Sequence, residues 1–361
     1  MPCTPGPAGC TGGADCGQER GLDLQPVEGV RIDGSVRLGA GRDLAGIWPA
    51  RRRGSGPARE APSEMKSPPL RLSPETPSTG TGFRMPSMGV RDYGRRQWVY
   101  LQCAGRTRGL AAGVNLSPGG HCDYHCRYCR PPGISPVQPL GVDAVALASE
   151  LEDTLVAIRS GGPRDPESFP GPPAGWRHLG QVMLSGEGEP TLCPNFLEVV
   201  ETMVHIRARG RHPFFRFILE TNGSGLERAE VREALGHFTP QDELWLKLDA
   251  GTGNGFHEIS GSREPFERVL SRIVELGRRR SVVLHSLFPM VDGRPPAASE
   301  ISAYLACLGR LKDEGARIQR VDVHSVTRPI EGSGCTHLPL ASLSGIARRI
   351  RLETGLAAEV S

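Results

Sequence analysis

The apolar positions of this chain change their spacing near residue 86, and beyond it short strand-like runs alternate with longer helix-like segments. Alternating apolar residues predict strands, whereas apolar residues three and four positions apart predict amphipathic helices. The predicted strands are residues 113–116, 181–185, 214–221, 243–249, 282–288 and 318–325. The helices predicted to follow them are residues 143–158, 195–209, 226–235, 266–278, 299–311 and 340–354.

Six successive strand–helix units predict an α/β fold with a parallel sheet, right-handed crossovers and helices on the outer face of the sheet. We expect this sheet to form a partial (βα)6 TIM-like barrel. In such folds the functional side chains gather where the strands end and the loops begin.

The segment before residue 93 has a different composition. Residues 1–92 are rich in Gly, Pro, Ser and Arg. Such a segment buries too little apolar surface to offset the entropy of ordering it, so we predict disorder there and one folded domain over residues 93–361. Two alternatives stay open: a basic interaction tail, and a start of translation at Met85 or Met88.

Charge and hydropathy give little guidance about partners. The 361 residues carry a formal net charge of +3, which provides no case for a field directed at nucleic acid or a membrane. No stretch is long and apolar enough to cross a membrane, and the N-terminus lacks the apolar segment of a signal peptide. We therefore expect a cytoplasmic protein, and a reducing compartment also suits the ten cysteines.

Three of the cysteines have a metal-binding spacing. Cys122, Cys126 and Cys129 follow the pattern CxxxCxxC. A full set of thiolate ligands for a [4Fe-4S] cluster would be four, so three predict a cluster with one iron open for chemistry. The alternatives are a zinc site closed by His121 or His125, or three buried cysteines without a metal.

Two further motifs follow predicted strands. The turn at residues 186–190 has the sequence Gly-Glu-Gly-Glu-Pro, and residues 221–223 are Thr-Asn-Gly. Glycines permit close approach of a ligand to the backbone, and a carboxylate pairs with an ammonium group. Each motif is also compatible with an ordinary turn. His285 and Ser286, near the end of the fifth strand, are additional candidates without an assigned role.

Charged residues alternate with apolar ones in two strands. The strand predicted over residues 243–249 has leucines at every second position, with Lys247 and Asp249 between them. If the leucines face the helices, this charged pair points into the barrel. Buried charges are costly unless paired, so Lys247 and Asp249 bind each other, a cofactor or the substrate. Asp322 and His324 repeat the arrangement, and a satisfied interior pair is an equal alternative to a substrate role.

The cysteine spacing, with aromatic Tyr128 directly before the third cysteine, resembles that of the radical S-adenosylmethionine (radical SAM) superfamily. The resemblance implies a partial barrel, with S-adenosylmethionine bound to the open iron of a [4Fe-4S] cluster and cleaved reductively to a 5′-deoxyadenosyl radical. It also implies a reducing electron donor of flavodoxin or ferredoxin type. The residues expected to bind the cofactor are Tyr128, Gly186, Gly188, Glu189, Thr221, Asn222, Lys247 and Asp249.

Over residues 93–361 the chain also looks like the uncharacterised iron–sulfur oxidoreductases grouped with the wyosine-base tRNA-modifying enzymes. The matching segments include residues 98–100, 106–110, 113–118 and 327–329. A tRNA substrate is one implication, but the second cysteine-rich cluster site of wyosine-forming enzymes is represented here by Cys103 alone. The substrate is unknown, and two other functions stay open: activation of a partner protein, and a non-catalytic zinc or iron–sulfur binding module.

Overall fold

The computed structural model describes residues 96–104, 109–118, 120–129, 141–160, 178–327 and 330–361. These residues lie in one compact unit, Thr79–Ser361. The predicted disorder of residues 1–92 lies outside the described residues, as do Arg106, Arg328 and the side chain of Cys103.

The described strands are numbered along the chain, and eight of the ten form one sheet. The strands are β1 (Val99–Ala104), β2 (Gly109–Val114), β3 (Leu179–Leu184), β4 (Arg216–Thr221), β5 (Glu243–Lys247), β6 (Val282–Leu287), β7 (Met290–Val291), β8 (Ile318–His324), β9 (Cys335–Thr336) and β10 (Ala358–Val360). The order in the sheet is β1-β2-β3-β4-β5-β6-β8-β10, and β7 pairs with β9 separately.

The sheet is mostly parallel. Only β1, within this sheet, runs antiparallel to its neighbour β2, and every other adjacent pair is parallel. A predominantly parallel α/β sheet is therefore confirmed. Among the described strands β1 and β10 lie at the two ends of the row, and closure into a partial barrel stays a prediction.

Seven α-helices connect the described strands, and none of them is long and apolar enough to span a membrane. They are α1 (Ala144–Arg159), α2 (Phe196–Ala208), α3 (Ala229–Gly236), α4 (Gly253–Ser260), α5 (Phe266–Arg279), α6 (Ala298–Asp313) and α7 (Leu340–Thr354). Short 3₁₀ turns lie at Pro190–Leu192 and Ser224–Glu227.

The two faces of the sheet have different cores. Leu244, Leu246 and Leu248 belong to the large apolar core that the helices cover. On the opposite face, a smaller cluster consists of Ala111, Met183, Ile218, Trp245 and Val283. The predicted division of β5, with leucines toward the helices and Lys247 on the other side, is therefore confirmed.

A buried ion network lies below the smaller cluster, toward the amino ends of the strands. Arg320 donates to Glu243 at 2.6 Å and to Asp322 at 3.1 Å, and all three side chains are buried. Buried charges are tolerated when they are paired in this way. Asp322 is thus a satisfied interior residue, whereas His324, two residues later, lies at the other end of the strand.

Candidate functional site

A cavity of about 240 Å³ lies at the carboxyl ends of β3, β4, β5, β6 and β8. The structure brings all eleven predicted site residues to its wall, as parallel strands predict. Their roles remain predictions. These residues are Cys122, Cys126, Tyr128, Cys129, Gly186, Gly188, Glu189, Thr221, Asn222, Lys247 and Asp249.

The loop that carries the cysteines rests on the end of α4. The backbone N–H of His125 donates to the carbonyl of Ser260 at 2.8 Å, and that of Arg127 donates to Ile259 at 3.0 Å. These bonds position the backbone between Cys122 and Cys129. The sequence analysis missed α4, whose eight residues include two glycines and few apolar positions.

Two tyrosines anchor this loop through carboxylates. Tyr124 donates its hydroxyl hydrogen to Glu264 at 3.1 Å, and Glu264 pairs with buried Arg272. Tyr128 donates to Asp249, whose other oxygen accepts the backbone N–H of Leu287 at 2.8 Å. The loop is therefore fastened on both sides by charge-assisted hydrogen bonds, which are stronger than neutral ones.

Lys247 completes the second anchor. Its Nζ lies 3.8 Å from the Oδ2 of Asp249 and 4.8 Å from the centre of the Tyr128 ring. Burial raises the pKa of Asp249, and the charge of Lys247 opposes that rise. The predicted pairing of Lys247 with Asp249 is present, and the ammonium group remains part of the cavity wall.

Glu189 fastens the turn after β3 to the end of β4. Its Oε1 accepts from the N–H of Thr191 at 3.1 Å, from the Thr191 hydroxyl at 2.6 Å and from the Thr221 hydroxyl. Its Oε2 accepts the backbone N–H of Asn222 at 2.8 Å. Burial raises the pKa of Glu189, while these hydrogen bonds favour the ionised carboxylate.

The glycines of this turn are required by close packing. A Cβ atom on Gly188 would overlap the carbonyl oxygen of His121, and one on Gly186 would overlap the side chain of Asn115. The turn after β3 thus lies directly against the segment that leads into the cysteine loop. Gly186 and Gly188 therefore serve two purposes: they leave space for a ligand, and they allow the turn to lie against the segment that leads into the cysteine loop.

Asn222 connects β4 to the cysteine loop. Its Nδ2 donates to Asp123 at 2.9 Å and lies 3.7 Å from the sulfur of Cys122, while its Oδ1 accepts the N–H of Ser224 at 2.8 Å. Ser224 also donates to Asp123, at 3.0 Å. Sequence reasoning missed Asp123, although its place directly after the first cysteine was a usable signal.

Two histidines and a glutamate also line the cavity. The rings of His285 and His324 stack with centres 3.8 Å apart, and the Nε2 of His285 lies 3.6 Å from Glu220. Burial, together with the nearby His285, lowers the pKa of His324 well below its usual value, so His324 is neutral at pH 7. Ser286 points the other way and hydrogen-bonds the Tyr304 hydroxyl at 2.6 Å.

The thiols themselves differ in exposure. Cys126 is buried, Cys122 is half-buried and Cys129 is exposed. Burial raises the pKa of Cys122 to about 12, with the charge of Glu189 adding to the effect, and burial also raises that of Cys126. In the part of the chain that the structure describes, no three His, Cys, Asp or Glu side chains are grouped to hold a single metal ion.

Comparison with solved structures identifies the fold. Over 73% of its length the chain matches a radical SAM methyltransferase from Sphaerobacter thermophilus, with a TM-score of 0.50, 16% identity and 68% of that chain covered. The predicted resemblance to radical SAM enzymes is therefore confirmed at the level of the fold. No protein-family model matches the chain, and no curated protein matches it.

Two other solved structures match this chain with lower TM-scores. SuiB from Streptococcus suis, solved with S-adenosylmethionine bound, matches 71% of this chain with a TM-score of 0.46 and 13% identity. This chain covers 52% of SuiB, about half of its length. TYW1 with a lysine–pyruvate adduct bound matches 71% of this chain and is 84% covered, with a TM-score of 0.47 and 13% identity.

Proposed function

We propose that the protein is a radical SAM enzyme in which Cys122, Cys126 and Cys129 hold a [4Fe-4S] cluster and S-adenosylmethionine binds at the open iron. The observation that carries the proposal is the convergence of these thiols with the ends of β3, β4 and β5 on one cavity. The fold match with a radical SAM methyltransferase supports it. The substrate is a separate question.

The donor set fits such a cluster. Three thiols from one loop line the cavity, while the other described cysteines with side chains placed, Cys193 and Cys307 among them, lie elsewhere in the core. The thiols of Cys122 and Cys126, whose pKa values are raised by burial, hold their protons until a metal displaces them, because a bound cation reverses the local cost of negative charge. A reduced cluster, when bound, supplies the electron that cleaves S-adenosylmethionine to a 5′-deoxyadenosyl radical.

In this proposal Glu189 binds the amino group of S-adenosylmethionine. Its Oε2 receives one hydrogen bond in the described structure, from Asn222, and a carboxylate oxygen can accept a second. Burial strengthens the pairing of a carboxylate with an ammonium group, because little water competes for either partner. Thr191 and Thr221 hold the carboxylate in its orientation.

Lys247, Asp249 and Tyr128 act on the opposite wall. The Tyr128 hydroxyl is committed to Asp249, so the ring face is the part of this side chain that a ligand can contact. Lys247 supplies positive charge for the cofactor carboxylate, or for an acidic substrate group. Asn222 braces the cysteine loop, and Thr221 holds the carboxylate of Glu189. Any contact that these two side chains make with the cofactor would be made from the wall of the cavity.

The electron that starts the reaction is proposed to come from a flavodoxin or ferredoxin type donor in a reducing cytoplasm. A tRNA substrate and activation of a partner protein both remain compatible with this chemistry. With either kind of substrate, the first step at the cavity residues would be the same cleavage of S-adenosylmethionine.

Anaerobic reconstitution with iron and sulfide tests the proposal. After reduction with dithionite in the presence of S-adenosylmethionine, we expect 5′-deoxyadenosine, measured by chromatography and mass spectrometry. Cys126→Ala should abolish both the cluster absorbance and the product. Cys307→Ala, a buried cysteine of α6 outside the cavity, is the matched control and should retain both.

Two results would overturn the proposal. One is a colourless protein that binds zinc through the same cysteines. The other is a protein that takes up the cluster but forms no 5′-deoxyadenosine, which would identify a non-catalytic iron–sulfur module.

A further inference from the structure

A second cavity, of about 200 Å³, lies between α3 and α5 and shares no residue with the cysteine-lined cavity. Three leucines form its apolar wall, and the remaining side chains are arginines and glutamates. The lining residues are Leu226, Glu227, Arg232, Leu235, Gly236, Arg272, Glu275, Leu276, Arg279 and Arg280. Four arginines against two glutamates give this small space an excess of positive charge.

Both glutamates of the cavity already have partners. Glu275 accepts from Arg279 at 2.9 Å, one helical turn away. Glu227 accepts from Arg268, which lies outside the cavity, at 2.6 Å, and also faces the Nε of Arg272 at 3.5 Å. The positive charge that these glutamates leave unpaired is carried mainly by Arg232 and Arg280.

Neither Arg232 nor Arg280 forms a hydrogen bond or ion pair with a carboxylate among the described residues, although Glu227 and Asp242 act on their charges from farther away. Arg232 is exposed, and no described residue lies within hydrogen-bond or ion-pair distance of its side chain. Arg280 donates only to backbone carbonyls, at 3.5 Å to Leu235, 3.2 Å to Thr239 and 3.0 Å to Asp242. Carbonyl oxygens orient a guanidinium group but do not neutralise it.

Buried donors without partners border the same cavity. The side chain of Arg272 is 7% exposed and forms ion pairs with Glu264 and Glu227, but its Nε and Nη1 make no hydrogen bond among the described residues. The Nε of Arg280 is also buried and has no hydrogen-bond partner among the described residues. A buried charged donor left unpaired is costly, so such groups mark places where an ion or water completes the structure.

We propose that this cavity binds a phosphate-class anion, held by Arg232, Arg272 and Arg280. A phosphoryl group offers several acceptor oxygens, which match the donors of guanidinium groups better than a single-atom anion does. The leucine wall limits the site to a small phosphate compound or to one phosphoryl group of a larger one. This proposal does not rest on the cluster chemistry of the other cavity.

Isothermal titration calorimetry on the full chain tests the site, with inorganic phosphate, pyrophosphate and ribose 5-phosphate as the ligands at constant ionic strength. We expect saturable binding of at least one of them. Arg232→Gln should weaken it about fivefold or more, because it removes one charge-assisted contact. Arg232 is exposed on α3, so this variant should fold normally.

Arg348→Gln is the matched control, because it removes the same charge from an exposed position on another helix, α7. It should leave the affinity unchanged, and Arg232→Lys should restore part of it. Preference for inorganic phosphate over ribose 5-phosphate would identify a free anion as the ligand, and the reverse a phosphoester. Absence of saturable binding, or an equal loss in Arg348→Gln, would overturn the proposal.

Discussion

Single hydrogen bonds to carboxylates hold the cysteine loop in place. Tyr124 and Tyr128 each donate to a carboxylate that has a cationic partner, Arg272 in one case and Lys247 in the other. A hydrogen bond to a charged group contributes roughly 1.5–3 kcal/mol, about twice the neutral value. Individual side chains therefore have measurable and separable effects on this site.

Tyr128→Phe removes one such bond at the cavity wall. We expect the dissociation constant for S-adenosylmethionine to rise about 5- to 20-fold in the reconstituted protein, because Asp249 and Lys247 lose the group that orients them. Calorimetric titration with the cofactor measures the change.

The matched control is Tyr304→Phe, which loses a buried hydroxyl bonded to Ser286 on the helix side of the sheet. It should cost about 1 kcal/mol of stability and leave cofactor affinity unchanged. Equal affinity for the cofactor in wild type and Tyr128→Phe would show that the Tyr128–Asp249 pair has no part in binding.

His324 makes stability depend on pH. Its pKa in the folded chain is well below the usual value because it is buried beside His285, with Glu220 and Lys247 as the other charged neighbours. The unfolded chain takes up a proton at about pH 6.5, whereas the folded chain does not. The free energy of unfolding contributed by this residue is therefore constant above that pH and falls as the pH decreases below it.

His324→Gln should reduce this dependence by up to about 1.4 kcal/mol per pH unit between about pH 6.5 and pH 5, the limit for one proton. Urea unfolding of the metal-free protein at several pH values measures the slope. His205→Gln, at an exposed position of α2, controls for the substitution itself. A slope unaltered by His324→Gln would mean that the folded protein admits the proton.

At the residue scale, sequence patterns predicted which side chains would converge but not how they bond. The strand-end rule brought Glu189, Asn222 and Asp249 to one place because parallel strands end at one edge of the sheet. The bond between Tyr124 and Glu264 joins residues 140 positions apart, and no local pattern encodes it. Hydrogen-bond partners of this kind depend on the tertiary structure alone.

Helices and strands show where the sequence signal was strong. All six predicted strands are present, and so are the helices predicted over residues 143–158, 195–209, 266–278, 299–311 and 340–354, with bounds shifted by at most a few residues. The first predicted strand, residues 113–116, actually covers Gly109–Val114, because its glycines and alanines lack the branched side chains that mark strands. The helix predicted over residues 226–235 is wrong at its start, where Arg228 is extended between a 3₁₀ turn and α3.

Five short elements were missed: β1, α4, β7, β9 and β10. β1 adds the antiparallel edge, and its first N–H groups are capped by a side chain from another element. Glu150 of α1 accepts from Trp98 at 2.8 Å and from Val99 at 3.0 Å. Short strands stabilised by such distant contacts have no periodicity long enough to detect in sequence.

Two glycines near α6 give opposite predictions for the same substitution. A Cβ on Gly251 would overlap the backbone of Tyr304, whereas one on Gly309 meets nothing within 4 Å. Gly251→Ala should destabilise the protein by about 1–3 kcal/mol, since the loop after β5 must move away from α6. Gly309→Ala, within the helix, should stabilise it by about 0.5–1 kcal/mol.

Urea unfolding of the two alanine variants measures the difference directly. Each substitution adds one methyl group, against α6 in Gly251→Ala and within α6 in Gly309→Ala, so the two variants should shift the free energy of unfolding in opposite directions. Destabilisation by Gly309→Ala, or stability of Gly251→Ala equal to wild type, would contradict the described packing of the loop after β5 against α6.

At the scale of the whole molecule, one large apolar core includes residues from both ends of the described chain, from Trp98 to Ala358. Strands of the eight-stranded sheet contribute to one cluster under the helices, a second on the opposite face of the sheet and a small third one around Leu287 and Cys335. The cysteine-lined cavity lies beyond the second cluster, at the carboxyl ends of the strands. All the residues named in these clusters and in the cavity wall lie after position 96.

A chain that starts at Thr79, the boundary of the compact unit, should therefore unfold with a midpoint within about 2–4 °C of the full chain, equivalent to a change of no more than about 1 kcal/mol. Thermal unfolding followed by circular dichroism measures it. A chain that starts at Gly109 is the control, because it lacks Trp98, Val99, Tyr100 and Leu101, which are all buried. Removing these four buried residues should lower the free energy of unfolding by more than the roughly 5–15 kcal/mol typical of a domain, so this shorter chain should not fold. A large loss of stability in the chain that starts at Thr79 would instead mean that residues 1–78 pack on the core, against the disorder that their composition predicts.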